Sequence, residues 1–241
     1  MKTATRQDGK ASRGPLTRDK VLEAAIELAD ADGIDALSMR RLGQALGVEA
    51  MSLYHHVANK EAILDGIVDL VVGQFRLPDA RGPWKSEIRQ TAISAHDILV
   101  RHPWAASLML TPTRMSTARL QYMEGILSTL RNGGFSPEGA HHGYHALDSH
   151  ISGFTLWQVH FQIEPGQMEE LVAAFFAQAK AGEYRYLMEH AEVHQRDADP
   201  EDEGEFAFGL DLILDGLERL LDSNHQHPAS PGAPTRRGER P

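Results

Sequence analysis

The stretch LGQALGVEAMSLYHHV, residues 42–57, decides the fold of this chain. Five apolar residues recur at the spacing with which two short crossing helices share a core: Leu42, Leu46, Val48, Leu53 and Val57. Gly43 lets the two helices approach closely, and Gly47 provides the backbone freedom for a tight turn between them. The pattern therefore predicts the spacing of a DNA-binding helix-turn-helix.

The second short helix, predicted from Ala50 to Val57, carries side chains that favour contact with DNA. Helical hairpins without a DNA function also show apolar positions interrupted by glycine. This helix, however, adds groups that can hydrogen-bond phosphates, stack on sugars or touch base edges: Met51, Ser52, Tyr54, His55 and His56. A purely structural helix of this length would seldom display such a set.

Helical periodicity continues on both sides of this motif, and no convincing alternating strand appears. Thr17 and Gly33 predict the two ends of the first helix. Ser38 is the predicted cap of the second helix, and Asn59 caps a fourth that ends before Pro78. Further helices are predicted near residues 84–101, 104–110, 116–132, 137–161, 167–190 and 205–222, with an acidic surface loop at 191–204.

We therefore expect an all-α protein in which a three-helix DNA-binding domain is linked by the fourth helix to a helical domain for ligand binding and dimerisation. The predicted segments are a disordered basic arm at 1–14, the helix-turn-helix domain at 15–64, the regulatory and dimerisation domain at 65–222 and a disordered tail at 223–241. Hydrophobic and charged fractions of 41% and 24% are those of a globular chain.

The absence of cysteine excludes disulfide scaffolds, thiolate zinc sites and cysteine nucleophiles, and it fits a reducing cytoplasm. The first residues lack the apolar core of a signal peptide. No run approaches the roughly 20 apolar residues of a membrane helix. We expect a cytoplasmic protein that does not contact a membrane.

Charge is segregated along the chain. The net charge of -10 by itself argues against nucleic acid. The first twenty residues nevertheless carry six basic side chains against two acidic ones, whereas residues 197–205 are strongly acidic. A basic arm before an acidic body is expected when one end meets phosphate, and a solvated flexible tail is the alternative interpretation.

Longer stretches resemble the TetR family of repressors. The run SLYHHVANKEAILDGI at 52–67 is similar to the family's tyrosine, histidine and lysine signature around the third and fourth helices. The runs GGFSPEGA at 133–140, HISGFTLWQV at 150–159 and EFAFGLDLILDGLERLL at 205–221 resemble the regulatory domain of the tetracycline-repressor subgroup. The resemblance covers roughly residues 17–222 and implies a dimer that binds a palindromic operator and releases it when a small molecule binds.

Position by position, the resemblance implies a set of residues that face DNA: Arg40, Ala50, Met51, Ser52, Tyr54, His55, His56 and Lys60, the last at a phosphate. Ala50 and Met51 stand where the subgroup often places a polar residue and proline, so the operator sequence does not carry over. Leu110 stands where the tetracycline repressors have the histidine that binds the drug-chelated magnesium. This departure argues against metal-tetracycline recognition.

Large residues of the regulatory domain predict a ligand pocket between its helices: Phe75, Trp104, Met109, Leu110, Arg114, Phe154 and Trp157. A small, partly aromatic molecule suits this lining, and its polar or anionic group would be oriented by Arg114, His96, His150 or Gln121. Binding is expected not to require magnesium. The alternative is that the same aromatic side chains simply fill the core.

The last helix is apolar over too wide a surface to pack on one side only, which predicts a dimer. Its interface residues would include Leu210, Ile213 and Leu217, opposite small residues at Ala146, Ser149 and Gly153 of the long helix from Pro137. Two helices from each subunit would form an isologous four-helix interface. A helix buried in a monomer core is the alternative.

Three rival functions remain. His141, His145 and Asp148 have a helical spacing that can hold a metal, although satisfied polar histidines explain it better. Catalysis is not supported, because the sequence shows no nucleophile-elbow motif, no phosphate-binding glycine loop and no carboxylate pair tied to a substrate cleft. A helical interaction protein that does not bind DNA is the runner-up. We expect a repressor with no cofactor and no metal.

Overall fold

The computed structural model describes residues 15–109, 116–160, 170, 173–174, 184–194 and 204–226, and these residues form helices joined by loops and turns, with no strand among them. The elements are α1 (Arg18–Asp32), a short 3-10 helix (Ile34–Ala36), α2 (Met39–Leu46), α3 (Ala50–Leu53), α4 (Lys60–Val72), α5 (Trp84–Arg101), α6 (Pro103–Met109), α7 (Thr117–Asn132), α8 (Pro137–His160), α9 (Arg185–His194) and α10 (Gly204–Gln226). The all-α prediction is confirmed. The predicted arm at 1–14 lies outside the described residues, as does most of the helix predicted at 167–190.

The three predicted N-caps of the first domain are confirmed. The side chain of Thr17 accepts a hydrogen bond from the backbone N–H of Lys20, and Ser38 accepts one from Arg41, both at 3.3 Å. Asn59 Oδ1 accepts one from the N–H of Ala62 at 2.8 Å. Each cap satisfies a backbone donor that the helix itself leaves unpaired, and such a cap typically contributes about 1 kcal/mol.

The two glycines of the motif have the roles that the sequence predicts. Gly47 ends α2 in the left-handed region, with φ 69° and ψ 34°, which a residue with a Cβ adopts only at a cost. A Cβ built on Gly43 would lie 2.9 Å from the carbonyl oxygen of Val48 and 3.2 Å from the nitrogen of Ala50. Because both atoms belong to the backbone, only glycine allows α2 and α3 to cross at this distance.

The regulatory domain is a bundle in which α5, α7, α8 and α10 pack against one another. Ion pairs join two of these helices: Arg89 donates to both carboxylate oxygens of Asp211, at 2.8 and 3.1 Å, and Lys85 contacts Asp215 and Glu218. These pairs lie between α5 and α10. The rotation of α10 follows from burial of its apolar face, which places Leu210, Leu214 and Leu217 in the core.

Three predicted boundaries are wrong. The third helix ends at Leu53 rather than Val57, because Tyr54, His55 and His56 form turns with bonds to the carbonyl three residues back. The helix predicted to stop at residue 190 continues to His194, and the last helix reaches Gln226, four residues into the predicted tail. Neither extension contains a glycine or proline to end the helix.

Candidate nucleic-acid interface and ligand cleft

The recognition segment, residues 50–56, exposes the side chains that the sequence assigns to DNA. Met51 is 73% exposed and Tyr54 46%, and His55 is exposed as well. Ala50, Ser52 and His56 are partly buried, while Leu53 is fully buried and anchors the segment to the domain core. The structure therefore brings the predicted residues together on one short segment.

Two cations flank this segment near helix N-termini. Lys60 is the first residue of α4, directly after the Asn59 cap, and Arg40 is the second residue of α2 and exposed. Backbone N–H groups at such positions attract phosphate. Arg41, in contrast, forms an ion pair with Asp32 at the end of α1 and so joins α2 to α1. That pair is not evident from the sequence pattern.

An interdomain joint connects α1 to the regulatory domain at Asp30. The carboxylate of Asp30 accepts a hydrogen bond from the indole Nε1–H of Trp104 at 2.7 Å and lies 2.9 Å from Nδ1 of His102. A second connection joins α4 to α7, where Asp69 accepts from the backbone N–H of Ala118 at 2.9 Å. Sequence reasoning missed both carboxylates, since neither belongs to a local motif.

A cleft of about 570 Å³ lies between α5, α8 and the start of α10. Its lining contains three of the residues predicted to bind ligand: His96, Phe154 and Trp157. The remaining lining residues are Ile93, Asp97, Gln158, Gly204, Glu205, Phe206 and Ala207. The predicted ligand residue His150 lies beside the cleft, where its ring stacks on Phe206 at 4.9 Å and its Nε2–H donates to the Phe206 carbonyl at 2.9 Å.

The hydrogen bonds of His96 define which of its nitrogens carries the proton. Thr155 Oγ1 donates to the carbonyl of Ile151 at 2.7 Å, so it accepts from Nδ1–H of His96 at 3.0 Å. This assignment, which follows from the hydrogen-bond network, leaves Nε2 of His96 as an acceptor. The ring also stacks on Phe206, with centroids 3.8 Å apart and planes inclined by 8°.

Burial lowers the pKa of His96 below its ordinary value of 6.5, with the neighbouring charge of Asp97 acting weakly in the opposite direction. Protonation therefore favours the unfolded chain, and the free energy of unfolding should fall as the pH drops below 6.5.

The variant His96→Asn keeps a donor for Thr155 but does not titrate. We expect wild type to lose stability relative to this variant between pH 7.5 and the folded-state pKa, as measured by urea unfolding at each pH; a constant difference would contradict the assignment.

Four other predicted ligand residues do not line the cleft. Phe75 is buried with its ring edge-to-face on Tyr122 at 5.3 Å, and Met109 is buried in the same core. Trp104 belongs to the interdomain joint, and Gln121 is exposed on α7. Phe75 and Met109 are thus core residues in this structure, and their assignment to a ligand pocket stays a prediction. Leu110 and Arg114 lie outside the described residues.

The dimer prediction is partly corrected by the rotation of α10. Leu210 and Leu217 are buried inside the protomer and Ile213 is partly buried, so the first two are core residues rather than interface residues. On the outer face of α10 the exposed apolar side chains are Phe208 (69%), Leu212 (57%) and Leu220 (60%). On α8, the predicted small residues Ala146, Ser149 and Gly153 are exposed.

The histidines of α8 do not form a metal centre with the described residues. The rings of His141 and His145 lie with centroids 4.6 Å apart on an exposed face. Asp148 is directed into the protein, where burial raises the pKa of its carboxyl. No group of three or more candidate ligands occurs among the described residues. Within the same residues, no helix has the length and apolar character to cross a membrane.

An exposed helix-turn-helix together with a cleft in a second helical domain is typical of a DNA-binding regulator. The sequence profile described as bacterial regulatory proteins, tetR family, matches residues 21–67, and the tetracyclin repressor-like, C-terminal domain matches residues 77–221. The chain belongs to the tetR family and is one of its DNA-binding transcriptional repressors, not an enzyme.

The chain is also similar to several transcriptional regulators. The chain is 40% identical over 121 residues to an HTH-type transcriptional regulator of Saccharopolyspora erythraea, and spans 51% of that protein with 50% of its own length. It is 31% identical over 224 residues to the HTH-type transcriptional repressor DrrR1 of Streptomyces coeruleorubidus, covering 87% of this chain and 81% of that one. The structure of the Streptomyces coelicolor TetR family protein ActR in complex with actinorhodin has 28% identity and a TM-score of 0.70, covering 86% of this chain and 99% of that chain. The predicted family is therefore confirmed.

Proposed function

We propose that this repressor binds a palindromic operator as a homodimer and leaves it when a small, largely apolar molecule occupies the cleft. The observation that carries the proposal is the recognition segment, in which a buried Leu53 holds the exposed Met51, Tyr54 and His55 on a helix-turn-helix. Such a segment enters the major groove, and a dimer presents two of them to half-sites about one helical turn apart. Operator DNA lies in the bacterial cytoplasm, so the protein would act there.

The chemistry of the exposed side chains indicates which of them contact bases and which contact phosphates of the DNA. Arg40, Ser52 and His55 carry the donors and acceptors that suit base edges, so we assign them to base readout. Tyr54, His56 and Lys60 are assigned to phosphates, which position the protein without reading sequence. Ala50 and Met51, the two apolar residues of the set, are assigned to apolar contact with the DNA.

Lys60→Ala is expected to weaken binding to all DNA sequences alike and to flatten its salt dependence. One fewer phosphate is neutralised by each protomer, so the slope of log K against log salt should decrease in magnitude by about 0.9 for each lost contact. Fluorescence anisotropy with a duplex from the protein's own promoter, titrated across a salt series, measures this slope. Lys60→Arg keeps the charge and should keep the slope. An unchanged slope and affinity in Lys60→Ala would rule out the phosphate assignment.

The homodimer is supported by the outer faces of α8 and α10. These two helices pack on each other within the protomer, and both leave side chains exposed: small ones at Ala146, Ser149 and Gly153, large apolar ones at Phe208, Leu212 and Leu220. A twofold axis would bring two such helix pairs into one four-helix interface. Small residues on one helix give room for large ones on the other.

A route from the cleft to DNA follows from the connections between the domains. The cleft contacts α5 through Ile93, His96 and Asp97, and α5 leads directly into α6. At the start of α6, the interdomain joint holds Asp30 of α1. An occupant that moves α5 would therefore shift α1 as well as the linking helix α4, and would favour a spacing of the recognition segments that no longer fits successive grooves.

Release by a ligand is testable with the purified protein and the same promoter duplex. Compounds that bind the cleft should dissociate the complex in a mobility-shift experiment, with and without a magnesium chelator. ActR, a relative, holds actinorhodin in its solved structure. Strict dependence of release on magnesium would contradict the proposed apolar mode of binding.

A further inference from the structure

Met51 is the most exposed large apolar side chain within residues 15–72. It is 73% exposed, whereas the next two, Tyr54 and Leu70, are 46% and 40% exposed. Covering an apolar group of this size is favourable in proportion to the area removed from water. A single exposed apolar residue is nevertheless common on protein surfaces, so the place of Met51 in the fold decides what covers it.

Met51 lies at the start of the recognition segment, on the side that faces away from the domain core. It is the second residue of α3, and Leu53, two positions later, is fully buried. Residues two apart on a helix point about 200° apart, so the buried Leu53 turns Met51 outward. Ala50, in contrast, is partly buried and lies against α2, where a Cβ built on Gly43 would be 3.3 Å from its Cα. Met51 is therefore the apolar side chain that the segment holds out into solvent.

The neighbours of Met51 place it at the base edges rather than at the DNA backbone. Tyr54, His56 and Lys60 are assigned to phosphates, and such contacts hold the segment in register with the groove. In a helix-turn-helix, the first residues of the recognition helix contact the edges of the bases in the major groove. Met51 occupies such a position.

The chemistry of the major groove leaves one match for this side chain. Among the four bases, only thymine presents an apolar group there, its C5 methyl. The other groups at the base edges are hydrogen-bond donors and acceptors, which are costly to cover with a partner that does not pair with them. Methionine is unbranched and adapts its shape to an irregular apolar surface, so it suits a methyl group on the floor of a groove.

We propose that Met51 reads one thymine in each half-site of the operator by packing on its C5 methyl group. This inference rests on the proposed binding of the recognition segment in the major groove and deepens it, since it names a base and the group by which that base is recognised. The contact involves no charge. It therefore contributes to sequence preference and leaves the salt dependence of binding unchanged.

Replacement of thymine by uracil tests the inference, because uracil lacks the methyl group and keeps every hydrogen-bonding group of thymine. The promoter duplex is prepared once with thymine and once with deoxyuridine at every thymine position, so the position of the operator need not be known. Fluorescence anisotropy measures the affinity of the full-length protein for both duplexes. We expect wild type to bind the uracil duplex about fifteenfold more weakly, since each of two buried methyl groups contributes about fourfold.

Variants of Met51 assign the effect to this side chain. Met51→Gln keeps the length of the side chain and makes its end polar. It should bind the thymine duplex about fifteenfold more weakly than wild type and show almost no further loss with uracil. The ratio of the two uracil losses isolates the Met51 contact from other contacts with methyl groups and from changes in the shape of the duplex. Met51→Leu keeps an apolar end and should retain most of the preference for thymine.

Leu70→Gln is the matched control, because it makes the same kind of change at an exposed leucine of α4, outside the recognition segment. It should keep the affinity of wild type and the full preference for thymine. An equal uracil loss in wild type and Met51→Gln would overturn the inference. So would a loss of the preference in Leu70→Gln as large as that in Met51→Gln.

Failure of this inference is distinguishable from failure of the proposed function through a scrambled duplex of the same composition. If wild type prefers the promoter to the scrambled duplex but binds the thymine and uracil forms equally well, operator binding stands and the methyl contact is wrong. If wild type binds promoter and scrambled duplexes equally, with thymine and with uracil, the recognition segment does not read sequence, and both proposals are wrong.

Discussion

Gly43→Val is expected to reduce operator affinity by at least about a hundredfold, because it separates the two helices that position the recognition segment. The first new carbon would lie 2.9 Å from the backbone oxygen of Val48, and the backbone cannot rotate away as a side chain can. Overpacking of this kind typically costs about 1–3 kcal/mol of stability. The larger effect falls on binding, since specific affinity exceeds non-specific affinity by about 10³ or more and depends on several contacts made together.

Anisotropy measurements with the promoter duplex and a scrambled duplex check this result, and circular dichroism shows whether α2 remains helical. Ala45→Val is the matched control, because it adds the same side chain to the same helix at an exposed position. The control should retain most of the affinity. Specific binding by Gly43→Val at wild-type strength would show that close approach of α2 and α3 is not required.

The DNA-binding domain could be predicted closely because its signals are local. A cap such as Asn59, a left-handed glycine such as Gly47 and a close crossing at Gly43 each depend on residues within one or two turns. The end of α3 was missed for the opposite reason. Val57 is buried like a helical core residue, yet its position is set by a turn that periodicity does not distinguish from a continuing helix.

The regulatory domain could be predicted only in part, because its side chains are placed by distant contacts. Leu210 and Leu212 belong to the same apolar pattern, and which of them faces the core depends on how α10 packs against α5 and α8. Trp104 has the composition of a pocket residue, but Asp30, 74 positions earlier in the chain, determines its place. Phe206 was missed because nothing local shows that it stacks on His96.

The exposed face of α10 leads to the second large effect. Leu212→Glu is expected to convert the dimer into a monomer while leaving the protomer folded, because the side chain is 57% exposed within the protomer. In a twofold interface each substitution occurs twice, so two carboxylates of like charge would be placed in an apolar contact. Burying unpaired charges costs several kcal/mol, which corresponds to a loss of dimer affinity of more than about a hundredfold.

Loss of the dimer should also remove tight binding to the palindrome, since the two half-sites would no longer be engaged by one particle. Sedimentation equilibrium measures the mass of the particle in solution. Anisotropy with full and half operators measures how much the second half-site adds to the affinity. Leu120→Glu introduces the same charge at an exposed leucine of α7, away from the proposed interface, and should remain dimeric. If Leu212→Glu sediments as a dimer with intact operator binding, the subunits associate through another surface, and the exposed apolar side chains of α10 need a different partner.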